Sequence, residues 1–316
     1  MRRTNLFYSK IILFGEYGII FNSKALSIPF ASFYGELSFQ NQYKYTNLEF
    51  AEKSNKYLKT YLRYLREMDC CLKELEIEKL EEDINKGMYF ESSIPLGYGL
   101  GSSGALVAAI YTKYAKEPIP PGRKIHQDKI LELKNIFAMM ESYFHGKSSG
   151  IDPLISYIQF PLIFHGKEKV STALIPRTKN ANGDAIFLLD TKQVGRTEPL
   201  VHYFLEKYKE EEYRKRVNEQ MIPLINHCID SLVEGKHNGF FEYLTQLSDY
   251  QLRYLNPMIP YEYQSYWKKG LESQDYILKL CGSGGGGYLL GFTRNAQKMK
   301  SYFKERGENI IMVYQG

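Results

Sequence analysis

Cysteine is scarce in this 316-residue chain: Cys70 and Cys71 are adjacent, Cys228 and Cys281 stand far away, and no C-x-x-C spacing occurs. The sequence therefore predicts neither a disulfide framework nor a zinc site. The six histidines (His126, His145, His165, His202, His227, His237) form no H-E-x-x-H or H-x-H pattern that would converge on a metal. No stretch reaches the ~18 to 20 consecutive apolar residues of a membrane span, and MRRTNLFYSK at the N-terminus has no small-residue cleavage site. A cytoplasmic protein without a membrane partner is expected. Charge of one sign is also in short supply. The 41 Lys and Arg exceed the 36 Asp and Glu by only five, and they are scattered where a nucleic-acid binder would show a concentrated basic stripe. No nucleic-acid partner is expected, and a small anionic ligand suits this balance. A Walker G-x-x-x-x-G-K-[ST] loop occurs nowhere.

What is present is a packed, enzyme-sized chain, with 44% hydrophobic and 24% charged residues. Its length suits two domains, because single cores rarely grow past about 250 to 300 residues. Residues 6 to 14 (LFYSKIILF) read as a strand apolar on both faces, interrupted by one cation, Lys10. Residues 15 to 40 read as short strands and turns, and residues 50 to 86 as helical, with Tyr57, Leu58, Tyr61, Leu62 and Leu65 at helical spacing. MYFESSIPLGYGLGSSGALVAAIYTKYAKE then gives a strand, a glycine-rich turn and a small-residue helix from about Ser102 to Lys116. A second helix, about Ile125 to Phe144, breaks at HGKSSGID. The turn-rich TKNANGD precedes a buried strand (AIFLLDT) and marks a boundary between domains 1–180 and 181–316. The second half closes on strand, glycine loop, strand: YILKLCGSGGGGYLLGF.

The loop Gly97 to Gly104 runs directly into a helix, so bare N–H groups and the positive end of the helix dipole meet whatever occupies the turn. Gly99-Leu100-Gly101-Ser102-Ser103-Gly104 satisfies G-x-G-x-x-G, the dinucleotide fingerprint, but it follows a proline-containing strand and lacks a clear βαβ setting. An ordinary capped helix after a flexible turn is the plainer alternative. Lys10 could snorkel to the surface, yet its apolar neighbours argue for enclosure, and an enclosed ammonium needs a carboxylate partner. Asp152 is the best candidate for that partner.

Three segments together resemble the GHMP kinases: K-I-I-L-F-G-E-Y-G-I-I from Lys10 to Ile20, P-L-G-Y-G-L-G-S-S-G-A from Pro95 to Ala105, and K-L-C-G-S-G-G-G-G-Y from Lys279 to Tyr288. They occur in family order. Between them, Glu141, His145-Gly146 and Ser149-Gly150-Ile151-Asp152 are similar to a mevalonate kinase segment of the same spacing. The resemblance implies an α+β, two-domain GHMP kinase fold: an N-terminal α/β domain with helices over its sheet, a C-terminal ferredoxin-like domain, and the active site in the cleft between. It implies ATP and Mg²⁺ as cofactors and a mevalonate-like hydroxy acid as substrate, and leaves a homodimer open.

The same resemblance implies roles for individual residues. Asp152 and Lys10 would be catalytic. Gly97, Gly99, Leu100, Gly101, Ser102, Ser103 and Gly104 would hold the nucleotide phosphates. Glu141, with Ser102 or Ser103, would hold Mg²⁺. Glu16, Tyr17, His145, Arg196, Thr197, Gly284 and Gly285 would border the acceptor, and Lys192 lies in a stretch resembling the family's T-K-x-x-R-x-T with altered spacing. Three positions depart from the pattern: Tyr17 stands where histidine is usual, Ser148 where proline is, and Gly104 where alanine is. Hard oxygen ligands such as a carboxylate and a hydroxyl are those Mg²⁺ takes beside phosphate oxygens, so the assignment agrees with the chemistry.

Overall fold

The computed structural model describes residues 6–39, 47–123, 125–166, 169–176, 183–195 and 197–315. They pack as two compact units: residues 1–10, 28–95 and 100–160 form the first, and residues 11–27, 96–99 and 161–316 the second. The units interleave along the chain, where the sequence suggested one crossing near residue 180. Most of the expected boundary turn lies outside the described residues.

The first unit takes in the start of strand β1 (Phe7–Phe14) and most of strand β2 (Lys24–Phe39). Residues 24–39 form one long strand where several short ones were expected. Pro29 sits inside β2, between residues 24–27 and residues 35–39, each of which pairs antiparallel with a further strand. A residue without an N–H is tolerated where no ladder bond is required of it. Helix α1 (Leu48–Glu67) is capped by Asn47, whose side chain accepts from the Phe50 amide, and it buries Ala51, Leu58, Tyr61, Leu62 and Leu65 along one stripe. The short α2 (Asp69–Glu74) and α3 (Ile77–Asn85) lead to strand β3 (Met88–Ser92), which runs antiparallel to β2 with Leu37 opposite Phe90.

Helices α4 (Ser102–Tyr114), α5 (Gln127–His145) and α6 (Ile151–Ile158) complete this unit. From Gly104 to Tyr111 every residue of α4 is buried, as expected of a helix made of small and apolar residues all round. It packs closely on α6 and α5.

In the second unit, residues 24–27 of β2 pair antiparallel with β4 (Leu162–His165), which pairs with β5 (Lys169–Thr172). Strand β6 (Ala185–Asp190) then leads through the helices α7 (Thr197–Tyr208), α8 (Glu211–Arg216), α9 (Ile222–Val233), α10 (His237–Tyr254) and α11 (Gln264–Ser273) to β7 (Ile277–Leu280) and β8 (Tyr288–Thr293). Helix α12 (Ala296–Glu305) and β9 (Ile310–Gln315) close the chain. The antiparallel sheet has the order β7-β8-β6-β9. Counted in chain order this is 2-3-1-4, with helices after the first and third strands, the split βαββαβ arrangement of a ferredoxin-like domain. Every residue of β7 and β8 is buried. Among the described residues no helix is long and apolar enough to cross a membrane.

Candidate active site

Within the first unit the residues singled out from sequence converge on the starts of α4 and α6. Lys10 is 5% exposed, and its ammonium lies 3.0 Å from Asp152 Oδ1. Strand β1 supplies the lysine with apolar neighbours, and Asp152 sits in the first turn of α6, where a carboxylate is favoured by the helix dipole. The Lys10 amide donates to the Leu100 carbonyl at 2.9 Å, fixing the glycine loop against the strand.

Two glycines are required by proximity. Gly101 has φ 77°, and a Cβ there would stand 3.0 Å from Lys10 Cγ and 3.4 Å from Asp152 Oδ2. At Gly104 a Cβ would fall 2.7 Å from the backbone of Asp152 and Pro153, so α4 approaches α6 too closely for the alanine usual there. The first N–H groups of α4, at Ser102 to Gly104, have no carbonyl a turn earlier to receive them. They leave hydrogen-bond donors at the start of α4, beside the Lys10–Asp152 pair.

Glu141 arrives by helix periodicity. The stripe of α5 that buries Leu133, Phe137 and Met140 carries Glu141 inward as well, leaving it 3% exposed. Ser103 Oγ donates to Glu141 Oε1 at 3.0 Å and Ser148 Oγ donates to Oε2 at 2.5 Å. Of the two candidate serines, Ser103 therefore meets the carboxylate. Ser103 Oγ also lies 3.1 Å from His145 Nε2. With the Ser103 hydrogen on Glu141, that contact suits the His145 tautomer that carries its proton on Nε2. Burial, and secondarily the negative charge of Asp152, pushes the Glu141 carboxyl up from 4.5 to about 7, against the opposing pull of Ser148, Ser103 and Lys10. A carboxylate this reluctant to ionise is one that a cation would relieve. No group of three or more His, Cys, Asp or Glu gathers among the described residues. Mg²⁺ held with a nucleotide commonly uses one or two protein oxygens, the rest being phosphate and water, so Glu141 and Ser103 fit it.

The remaining expected site residues lie in the second unit. Glu16 is buried and forms an ion pair with Lys279, itself fully buried in β7. Burial raises the Glu16 carboxyl, and Lys279 draws it down. In the sequence Lys279 has no evident partner, although Ile277-Leu278-Lys279-Leu280 encloses it as apolar neighbours enclose Lys10. Tyr17 stacks on Phe204 with centroids 4.5 Å apart, and its hydroxyl donates to the Ser283 carbonyl at 2.6 Å. Ser283 Oγ in turn donates to Thr197 Oγ1 at 3.0 Å.

This network ties the first motif to the third glycine loop, in which Gly282 and Gly284 to Gly287 all have positive φ. The Gly285 amide donates to Met258 O, and a Cβ on Gly284 would be 2.3 Å from that same carbonyl. Gly97 and Gly99 also belong to this unit, and the Gly97 carbonyl accepts from Gly195. The ammonium of Lys192 is taken by Glu308 at 3.1 Å. Arg196 lies outside the described residues.

Residues 56–159 match the family described as GHMP kinases N terminal domain. Comparison with curated protein sequences gives no match. Among solved structures, the L. major mevalonate kinase in complex with R-mevalonate superposes with a TM-score of 0.64 at 16% identity, over 96% of this chain and 91% of that one. The Streptococcus pneumoniae phosphomevalonate kinase in complex with phosphomevalonate and AMPPNP gives 0.60 at 15% identity, over 98% of each chain. The Lactococcus lactis galactokinase complexed with galactose gives 0.64 at 13%, over 97% and 92%. The chain has the GHMP kinase fold. In this GHMP kinase fold the strand before the glycine loop, β3, runs antiparallel to β2, so the G-x-G-x-x-G match does not open a parallel βαβ unit of the dinucleotide-binding kind.

Proposed function

We propose that the protein is an ATP-dependent kinase that transfers the γ-phosphoryl group to the 5-hydroxyl of mevalonate, giving 5-phosphomevalonate and ADP. The observation that carries this reading is the Lys10–Asp152 pair at 3.0 Å, next to a glycine turn that opens a helix. Phosphoryl transfer asks for an oriented nucleophile and for cations where charge develops, with little covalent help from the protein. Asp152 accepts the acceptor's hydroxyl proton as its oxygen bonds to phosphorus and the bond to ADP breaks. Lys10, paired with Asp152, stabilises negative charge on the attacking oxygen. The free N–H groups of α4 receive phosphate oxygens. Glu141 and Ser103 are the groups that would hold Mg²⁺, which neutralises phosphate charge when bound.

In this reading residues 1–180 carry the nucleotide loop and catalytic pair, and 181–316 the third glycine loop on the acceptor side. The spacing of Glu141, His145, Ser149-Gly150 and Asp152 favours mevalonate. A second acceptor of the same chemistry, such as phosphomevalonate, homoserine or a sugar, is favoured by one observation. Tyr17 is engaged by Ser283 and Lys192 by Glu308, so two groups expected at the acceptor have other partners. A coupled ADP-release assay across mevalonate, phosphomevalonate, homoserine and galactose decides between them. Mevalonate should give the highest kcat/KM. ADP release with none of the four overturns the kinase reading.

A further inference from the structure

The kinase reading leaves Ser148 without a role, although it makes the shortest contact to the proposed metal carboxylate. Ser148 stands in the turn after α5 and is itself anchored by two bonds, one of them to a serine that α5 holds in turn. Its amide donates to Ser142 Oγ at 3.2 Å, Ser142 Oγ donates to the Ala138 carbonyl at 2.7 Å, and the Gly150 amide donates to Ser148 Oγ at 3.0 Å. With the Gly150 bond filling one acceptor site, the hydroxyl hydrogen of Ser148 is aimed at Glu141 Oε2.

Glutamate has three rotatable side-chain bonds, and helix placement fixes where α5 delivers Glu141, not how its carboxylate is turned. Ser148 supplies that constraint: it holds one oxygen, leaving the other, Oε1, to face Ser103. The pattern's usual proline at this position has neither the hydroxyl nor the amide hydrogen, and could make neither bond.

We propose that Ser148 is a positioning residue that presents Glu141 Oε1, beside the Ser103 hydroxyl, to a divalent cation carried with the nucleotide. This rests on the kinase reading above. Outer partners that hold a ligating carboxylate set metal affinity even though they never touch the metal. A residue of purely structural value would change stability and leave metal affinity alone.

The test is titration of the full chain with Mn²⁺ in the presence of ADP, with free Mn²⁺ followed by electron paramagnetic resonance, in wild type, Ser148→Ala and Ser148→Thr. Ser148→Ala should weaken Mn²⁺ binding about 10- to 100-fold. Ser148→Thr, which keeps the hydroxyl, should restore it. In steady-state assays the apparent KM for Mg²⁺ should rise in Ser148→Ala while the KM for the acceptor stays unchanged. If Ser148→Ala does not fold, Ser148→Cys, a poor donor of similar size, takes its place in the comparison. Unchanged Mn²⁺ affinity in the folded variant overturns the role of Ser148 and leaves the kinase reading intact. Wild-type protein that takes up no Mn²⁺ with ADP overturns the metal site and this role with it.

Discussion

Replacing Glu141 by Gln should stabilise the metal-free protein at alkaline pH while abolishing its use of the metal. The carboxyl is buried and raised from 4.5 to about 7. Below pH 4.5 it is protonated in folded and unfolded chains alike. Between 4.5 and 7 the unfolded chain gives up a proton that the folded one keeps, so stability falls as pH rises. Above 7 the full penalty remains, about 3 kcal/mol for a change of this size. Glutamine escapes that penalty, and its amide can accept from one serine and donate to the other. Allowing for weaker hydrogen bonds than an ion makes, a gain of about 1 to 3 kcal/mol at pH 8 is expected, shrinking toward zero at pH 4.5. Urea denaturation of both proteins at the two pH values, without metal, measures the difference. Adding Mg²⁺ and ADP at pH 8 should stabilise wild type and not Glu141→Gln. An equal difference at both pH values, or a variant less stable at pH 8, would refute the reasoning.

Other consequences follow from the same geometry. Lys10→Met should lower kcat about 100- to 1,000-fold with the KM for ATP little changed, as seen by ADP release; a tenfold loss or less would place Lys10 outside the transition state. Gly104→Ala forces a Cβ against the backbone of Asp152 and Pro153, and should cost about 1 to 3 kcal/mol in denaturant midpoint while lowering kcat. Lys279→Met leaves Glu16 buried without its partner and should destabilise by about 3 to 5 kcal/mol, with Glu16→Gln in the same chain recovering part of the loss. Fluorescence of Trp267, the single, fully buried tryptophan, reports that unfolding directly.

Much of the fold was legible because local pattern and packing agree. The apolar stripe of α1, the all-round burial of α4 and the strand–glycine–strand ending all appear where periodicity and glycine placement put them. Strand β2 did not, because Pro29 reads as a break, and only the pairing of residues 24–27 and 35–39 with other strands shows one strand continuing through it. Lys10 announced a buried partner because an enclosed ammonium must have one. Lys279 carried the same signal, yet its partner Glu16 lies 263 residues away in sequence.

By itself the sequence determined which residue types stand beside which glycines, and therefore the class of chemistry: a lysine in an apolar strand, a helix opened by a glycine turn, and acids able to meet oxygen-loving cations. Choosing Ser103 over Ser102, turning the Glu141 carboxylate by means of Ser148, and giving Tyr17 and Lys192 partners in place of open space were left to the tertiary structure. The physical reason is one of range. Burial and backbone conformation are imposed by neighbours in the chain, whereas the direction of a hydroxyl and the partner of a charge depend on segments brought together only by folding.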